Sequence, residues 1–170
     1  MTYYGSREMA ESFRTVRKNT IQVAEDIPDE HYGFRATPDV QTVAEMLAHV
    51  ATSTWWAEQL HGVDRKTFVS FEDWGAYTAR TKEMEAALST KAQIVEALRV
   101  NGERFAAWLE SLSEDTLAER VSFPPPVQPS SRSRFEMLLG VKEHEMHHRA
   151  KLMLIERLLG IVPHLTRARR

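Results

Sequence analysis

The sequence predicts an all-α protein, a four-helix bundle with a long proline-rich crossover before its C-terminal helix, and three observations carry that prediction. Apolar residues recur at helical spacing in four long segments. Hydroxyl-x-x-Glu/Gln capping boxes stand at the heads of three of them, and the prolines fall between segments rather than inside them.

The first segment runs from about Ser6 to Asp26, with Met9, Phe13, Val16 and Val23 on one stripe and Thr20 beside them; Pro28 ends it and Pro38 marks the loop that follows. Thr42-Val-Ala-Glu45 caps a second helix expected to continue to about His61, with Gly62 as its stop. Residues 63–75 carry Phe68, Phe71 and Trp74 and read as an aromatic-anchored loop or short helical turns, leading to a short helix over 76–88. Thr90-Lys-Ala-Gln93 caps the third main helix, whose apolar face runs from Ile94 to Leu112. Gly102 weakens that helix by roughly 1 kcal/mol relative to alanine.

Residues 121–133 hold Pro124, Pro125, Pro126 and Pro129, which exclude a helix and predict an extended, partly stiff crossover. Ser133 and Glu136 then cap a last helix ending near Leu159, with Gly160 and Pro163 as terminators. That helix cannot bury itself alone, so residues 1–170 read as a single domain.

Composition narrows the function. A net charge of −2 argues against a nucleic-acid partner, and Arg167, Arg169 and Arg170 read as a solvated tail. With no cysteine there is no disulfide framework and no thiolate ligand, so any metal must be held by histidine and carboxylate. No long apolar run predicts a membrane span, and the N-terminus lacks the pattern of a signal peptide, so a cytoplasmic protein is expected.

The last helix contains His144-Glu-Met-His147-His148. His144 and His148, four apart, share one helix face, the spacing at which two imidazoles bind one transition-metal ion. Projected at 100° per residue, Met137 and Ile155 lie on their bisector, so the pair occupies the core-facing stripe, whereas His147 lies about 80° away. His49, on the second helix, shares a semi-polar face with Ser53, Trp56 and Leu60, with Glu45 one turn before it, which suits a cavity wall. Buried imidazoles need partners for their nitrogens, and a divalent metal supplies them to all three at once. Each histidine alone would equally suit a hydrogen-bonded core position. Glu45 and Glu145 are candidates to orient a ligand histidine or to move a proton. The same run matches the H-E-x-x-H motif of zinc peptidases, but Lys151 and Leu154 break the extended form and little chain remains for a downstream ligand.

The segments Thr42-Val-Ala-Glu-Met-Leu-Ala-His49 and His144-Glu-Met-His-His-Arg-Ala-Lys-Leu-Met, with the Leu-Gly-x-x-Pro stop that follows, resemble the DinB family of four-helix metalloproteins. The resemblance spans essentially the whole chain and implies His49, His144 and His148 as ligands of a divalent metal, zinc or nickel, often in a homodimer. The chain departs from the family pattern at Ala150-Lys151, where Gly-Gln is frequent; Lys151 would put a cation near the pocket mouth or extend to solvent. A metal with open positions would suit two reactions on a small-molecule substrate, thiol S-transfer with a low-molecular-weight thiol cosubstrate or hydrolysis by a metal-activated water, and the resemblance slightly favours the first. The competing expectation is a non-catalytic helical dimer in which a metal staples the helices.

Overall fold

The computed structural model describes residues 4–168, so Arg169 and Arg170 lie outside the described residues. The expected helices at both ends of the chain are present. Helix α1 spans Ser6–Asp26 and buries Met9, Phe13, Val16, Thr20 and Val23, with Arg17 among them. Helix α2 spans Val43–Thr52; the Thr42 hydroxyl accepts from the Glu45 amide (3.1 Å) while the Glu45 carboxylate accepts from the Thr42 amide (2.7 Å). The second helix does not continue unbroken to His61. The hydroxyls of Thr52 and Ser53 donate back to the carbonyls of Ala48 and Val50 (3.0 Å each), which loosens the ladder. The chain restarts as α3, Thr54–Glu58, and widens into a π-helical turn over Gln59–Val63.

Helix α4 spans Phe71–Ala86, beginning five residues before the short helix expected at 76, inside the segment read as a loop. Its head is a capping box of Ser70 with Asp73 in the place usually held by Glu or Gln. Helix α5, Lys91–Glu110, is capped by Thr90 and Gln93 as expected, and a short α6 follows at Glu114–Ala118. The proline-bearing segment is not simply an extended crossover. Strands β1, Arg120–Ser122, and β2, Ser131–Ser133, pair antiparallel with Val121 opposite Arg132, and the prolines occupy the loop between them. Helix α7, Arg134–Leu158, leaves this hairpin with Ser133 and Glu136 as its cap and stops before Gly160, whose φ of 79° suits glycine. The buried Arg134 ties the hairpin to α6 by donating to the Glu119 carboxylate (2.9 Å).

The bundle proper consists of α1, α2, α5 and α7: α1 packs along α5 and α7, and α2 packs along the same two helices. The connections α1→α2 and α5→α7 therefore run diagonally, and α4 lies outside the bundle against α2. One apolar cluster, with Val23, Leu47, Ile94, Leu98 and Leu152, fills one end. A second, with Phe13, Phe105, Leu109, Leu138 and Val141, fills the other.

Between the two apolar clusters lies a buried ion pair. Arg17 Nε and Nη2 each donate at 2.9 Å to the Glu145 carboxylate, and Arg17 also donates to the carbonyls of Leu98 (2.8 Å) and Val50 (3.3 Å). Gly102 gives this arginine room: a Cβ there would stand 2.7 Å from Arg17 Cγ. Helix propensity alone would make Gly102→Ala stabilising by about 1 kcal/mol. Because the clash is with the base of a tethered side chain, the expected outcome is a loss of about 1–3 kcal/mol, read as a lower urea midpoint.

A second buried charge sits near the end of α7. Both carboxylate oxygens of Glu156 are buried without a hydrogen-bond partner, and burial, reinforced by Asp26, pushes its pKa up to about 7. A carboxyl with a raised folded-state pKa contributes its full stability below its unfolded value near 4.5 and loses it as pH rises through about 7. Glu156→Gln is therefore expected to leave stability unchanged at pH 4 and to raise it by ~2 kcal/mol at pH 8, in denaturation curves at the two pH values. Arg167, read as part of a solvated tail, instead pairs with Asp26 at 2.6 Å.

Candidate metal centre

Helices α2 and α7 bring the three predicted histidines together. His49 Nε2 lies 3.1 Å from His144 Nε2, and His148 Nε2 lies 3.0 Å from that same atom. His49 sits in the last turn of α2, and His144 and His148 present one face of α7, so a diagonal fold places nitrogens 95 residues apart around one point.

The outer nitrogen of His49 is also engaged. Its Nδ1 lies 2.7 Å from Glu85 Oε1 on α4, and because a carboxylate only accepts, Nδ1 carries a proton; in the neutral ring Nε2 then turns its lone pair inward. His148 Nδ1 is buried and has no partner. Burial, followed by the nearby His49, lowers the His144 pKa to about 4. Burial, followed by His144, lowers that of His148 to about 3. The charge of Lys151 depresses both further. His144 and His148 are thus neutral at pH 7, the form in which imidazole binds a metal.

Hydrogen bonds alone do not satisfy this cluster. With the His49 proton on Nδ1, a single N–H on His144 or His148 serves one contact, and a lone pair is left facing its neighbours. A cation resolves that arrangement, and the three histidines could hold a metal ion, one ligand atom from each, all within 4.8 Å of one another. No other such group occurs among the described residues.

The two glutamates suggested by sequence lie elsewhere. Glu45 is an exposed capping residue whose carboxylate is bonded to the Thr42 amide, with Arg35 at 3.6 Å. Glu145 is 1 % exposed and held in the bidentate pair with Arg17, so it points into the bundle rather than toward the ligand nitrogens. The carboxylate that does hold one of the three histidines is Glu85, which sequence reasoning missed. A signal for it exists: Tyr77, Thr81 and Glu85 recur every four residues along α4, and the first two are its buried positions. His147 is exposed, its ring centroid 5.6 Å from that of His148, outside the ligand set. Glu85→Gln is expected to lower metal affinity by about 10–100-fold with little change in folding, measured by competition with a chromogenic chelator.

His49 and His144 open onto a cavity of about 410 Å³ between α4 and α7, walled by Trp56, Trp74, Tyr77 and Thr81, with Lys82 and Gln41 also lining it. Trp56 and Trp74 meet edge to face, their centroids 5.1 Å apart.

Fold and site together define a helical-bundle protein with a three-histidine pocket suited to a metal ion. The chain belongs to the DinB superfamily, whose family model matches residues 12–152. Among solved structures it is similar to the DinB-like protein YjoA of Bacillus subtilis, at 19% identity and a TM-score of 0.66, over 90% of this chain and 92% of that one. It is also similar to YfiT of Bacillus subtilis, described as a probable metal-dependent hydrolase with an unusual four-helix bundle topology. That likeness covers 95% of this chain and 91% of YfiT at 15% identity, with a TM-score of 0.68. At these identities the likeness is one of fold. No curated protein matches the sequence.

Proposed function

We propose that this protein is a metal-dependent enzyme acting on a small molecule, with His49, His144 and His148 holding a zinc or nickel ion and hydrolysis of an ester, amide or related bond as its reaction. The observation that carries this reading is the convergence of the three Nε2 atoms beside an open cavity. Three protein ligands leave a coordination position free, whereas a structural zinc ion normally takes four. The description of YfiT as a probable metal-dependent hydrolase supports the same reading.

A divalent ion held by His49, His144 and His148 would supply Lewis acidity, which would ease deprotonation of a water or a thiol at neutral pH. The chain's own groups set the rest. Glu85 fixes the tautomer and ring angle of His49. Trp56 and Trp74 give the cavity an apolar wall. The peptidase alternative loses its base, because the glutamate of the H-E-x-x-H run is the one paired with Arg17.

A second reading is transfer of a low-molecular-weight thiol to an electrophile, a reaction that makes a smaller demand on a proton acceptor. Ser53 donates to Val50 O, Tyr77 to Asp64 and Thr81 to Tyr77 O, so the protons of these three cavity hydroxyls are engaged within the protein. A thiol, with a pKa near ~8.5, gives up its proton far more readily than water does. The two reactions separate in one assay on the metal-loaded protein: a chromogenic ester alone, and a halogenated aromatic electrophile with and without a small thiol. Ester turnover that disappears with a chelator supports hydrolysis, and thiol-dependent turnover that disappears likewise supports transfer. Turnover that survives complete metal removal would sink both.

A further inference from the structure

The metal cavity has a neighbour. A second cavity, of about 470 Å³, lies on the far side of the Trp56–Trp74 pair, which lines both. The two follow one groove along the same helices. On α4, Phe71 lines the second cavity, Trp74 both, and Tyr77, Thr81 and Glu85 the first, in steps of three or four residues. On α7, Met137 and Gly140 line the second cavity while Val141 and His144 line the first. The hairpin loop closes the groove's far end with Phe123, Pro124 and Val127. From Met137 to His144 the helix rises about 10 Å.

The second cavity is apolar almost throughout. Of its polar side chains, Ser70 is engaged with Asp73 (2.8 Å) and Arg132 is exposed. Two aromatic residues of its wall, Phe71 and Trp74, are 62% and 46% exposed, although they stand at the mouth of the groove rather than in the core. Gly140 leaves a further gap, since a Cβ there would meet no atom within 4 Å.

We propose that the two cavities are one binding site, and that its ligand is an elongated small molecule whose apolar arm, of roughly six to eight carbons, passes over the tryptophan pair into the second cavity while its polar head lies at the histidines. The head's place rests on the metal-dependent reading above; the arm's place rests on the groove alone. Burial of each methylene in such a pocket multiplies affinity by roughly three to four.

Two titrations test this with the full chain. In the first, the zinc-loaded protein is titrated with acetohydroxamate and with octanohydroxamate, and in the second, the metal-free protein is titrated with anilinonaphthalene sulfonate. Octanohydroxamate is expected to bind at least ~30-fold more tightly than acetohydroxamate. Gly140→Leu, which fills the second cavity from a helix position that prefers leucine, is expected to erase that advantage while leaving metal content and acetohydroxamate affinity unchanged. It is also expected to weaken binding of the sulfonate at least tenfold. Equal affinities for the two hydroxamates, or a gain that Gly140→Leu and Gly140→Ala both leave intact, would overturn the proposal. If neither hydroxamate binds, the metal reading has failed, and the sulfonate titration decides the arm by itself: unchanged binding in Gly140→Leu refutes it.

Discussion

His148→Ala is expected to abolish stoichiometric metal binding while leaving the helical bundle folded. The histidine contributes one of the three converging nitrogens, and two remaining imidazoles from different helices cannot hold an ion at comparable affinity. Its loss carries little structural penalty in the metal-free protein, because the ring is mostly enclosed with its Nδ1 unpartnered, and removing an unsatisfied polar atom offsets part of the contact area lost. With metal at a thousandfold over its dissociation constant the wild-type protein should gain ~4 kcal/mol of stability, which for a chain of this size raises the melting temperature by about 10 °C. The variant should show no such rise, an unchanged far-ultraviolet helical signal and no metal by elemental analysis. His49→Ala should behave alike. If either variant loses its helical signal together with the metal, the ion is a staple and the enzyme reading falls; if either keeps a full complement of metal, the three-histidine site is wrong.

Much of this site is legible in the sequence because its histidines obey local rules. His144 and His148 reveal their shared face by a spacing of four on an apolar stripe, and His49 follows a capping box that sets the phase of α2. The bundle helices α1, α5 and α7 are legible for the same reason: each buries apolar residues at helical spacing, and two carry a hydroxyl cap with Glu or Gln. What stays hidden is long-range or weakly patterned. Helix α4 buries only Tyr77 and Thr81, so it carries little periodicity, and its cap uses Asp73. Strands of three residues are too short to show alternation. Glu85 reaches His49 across 36 residues, and although its four-residue step from Thr81 marks its face of α4, nothing in the sequence names the partner. Glu145 misleads because a motif places it between ligands, whereas its partner, Arg17, stands 128 residues away on an otherwise apolar stripe.

That ion pair supports the second large effect. Arg17→Met is expected to destabilise the protein by about 3–5 kcal/mol, because it leaves the Glu145 carboxylate buried and unpaired and strips the Leu98 and Val50 carbonyls of a donor. Against a total stability of about 5–15 kcal/mol, this is enough to lower the melting temperature by ~10 °C or more. Replacing both partners, Arg17→Met with Glu145→Leu, removes the stranded charge and should recover most of the loss, as buried pairs exchanged for apolar residues commonly do. The pair has a position that a purely stabilising role does not require. Glu145 adjoins His144 on α7, and the carbonyl that Arg17 grips on α2 belongs to Val50, next to His49. One guanidinium therefore fixes both histidine-bearing helices within a residue of the cluster, so the double variant should regain stability yet bind metal about 10-fold more weakly than wild type. Stability and metal affinity that recover together would show the pair to be structural alone. A stable double variant with a weakened site would instead show that the charge in the core holds the imidazoles in register.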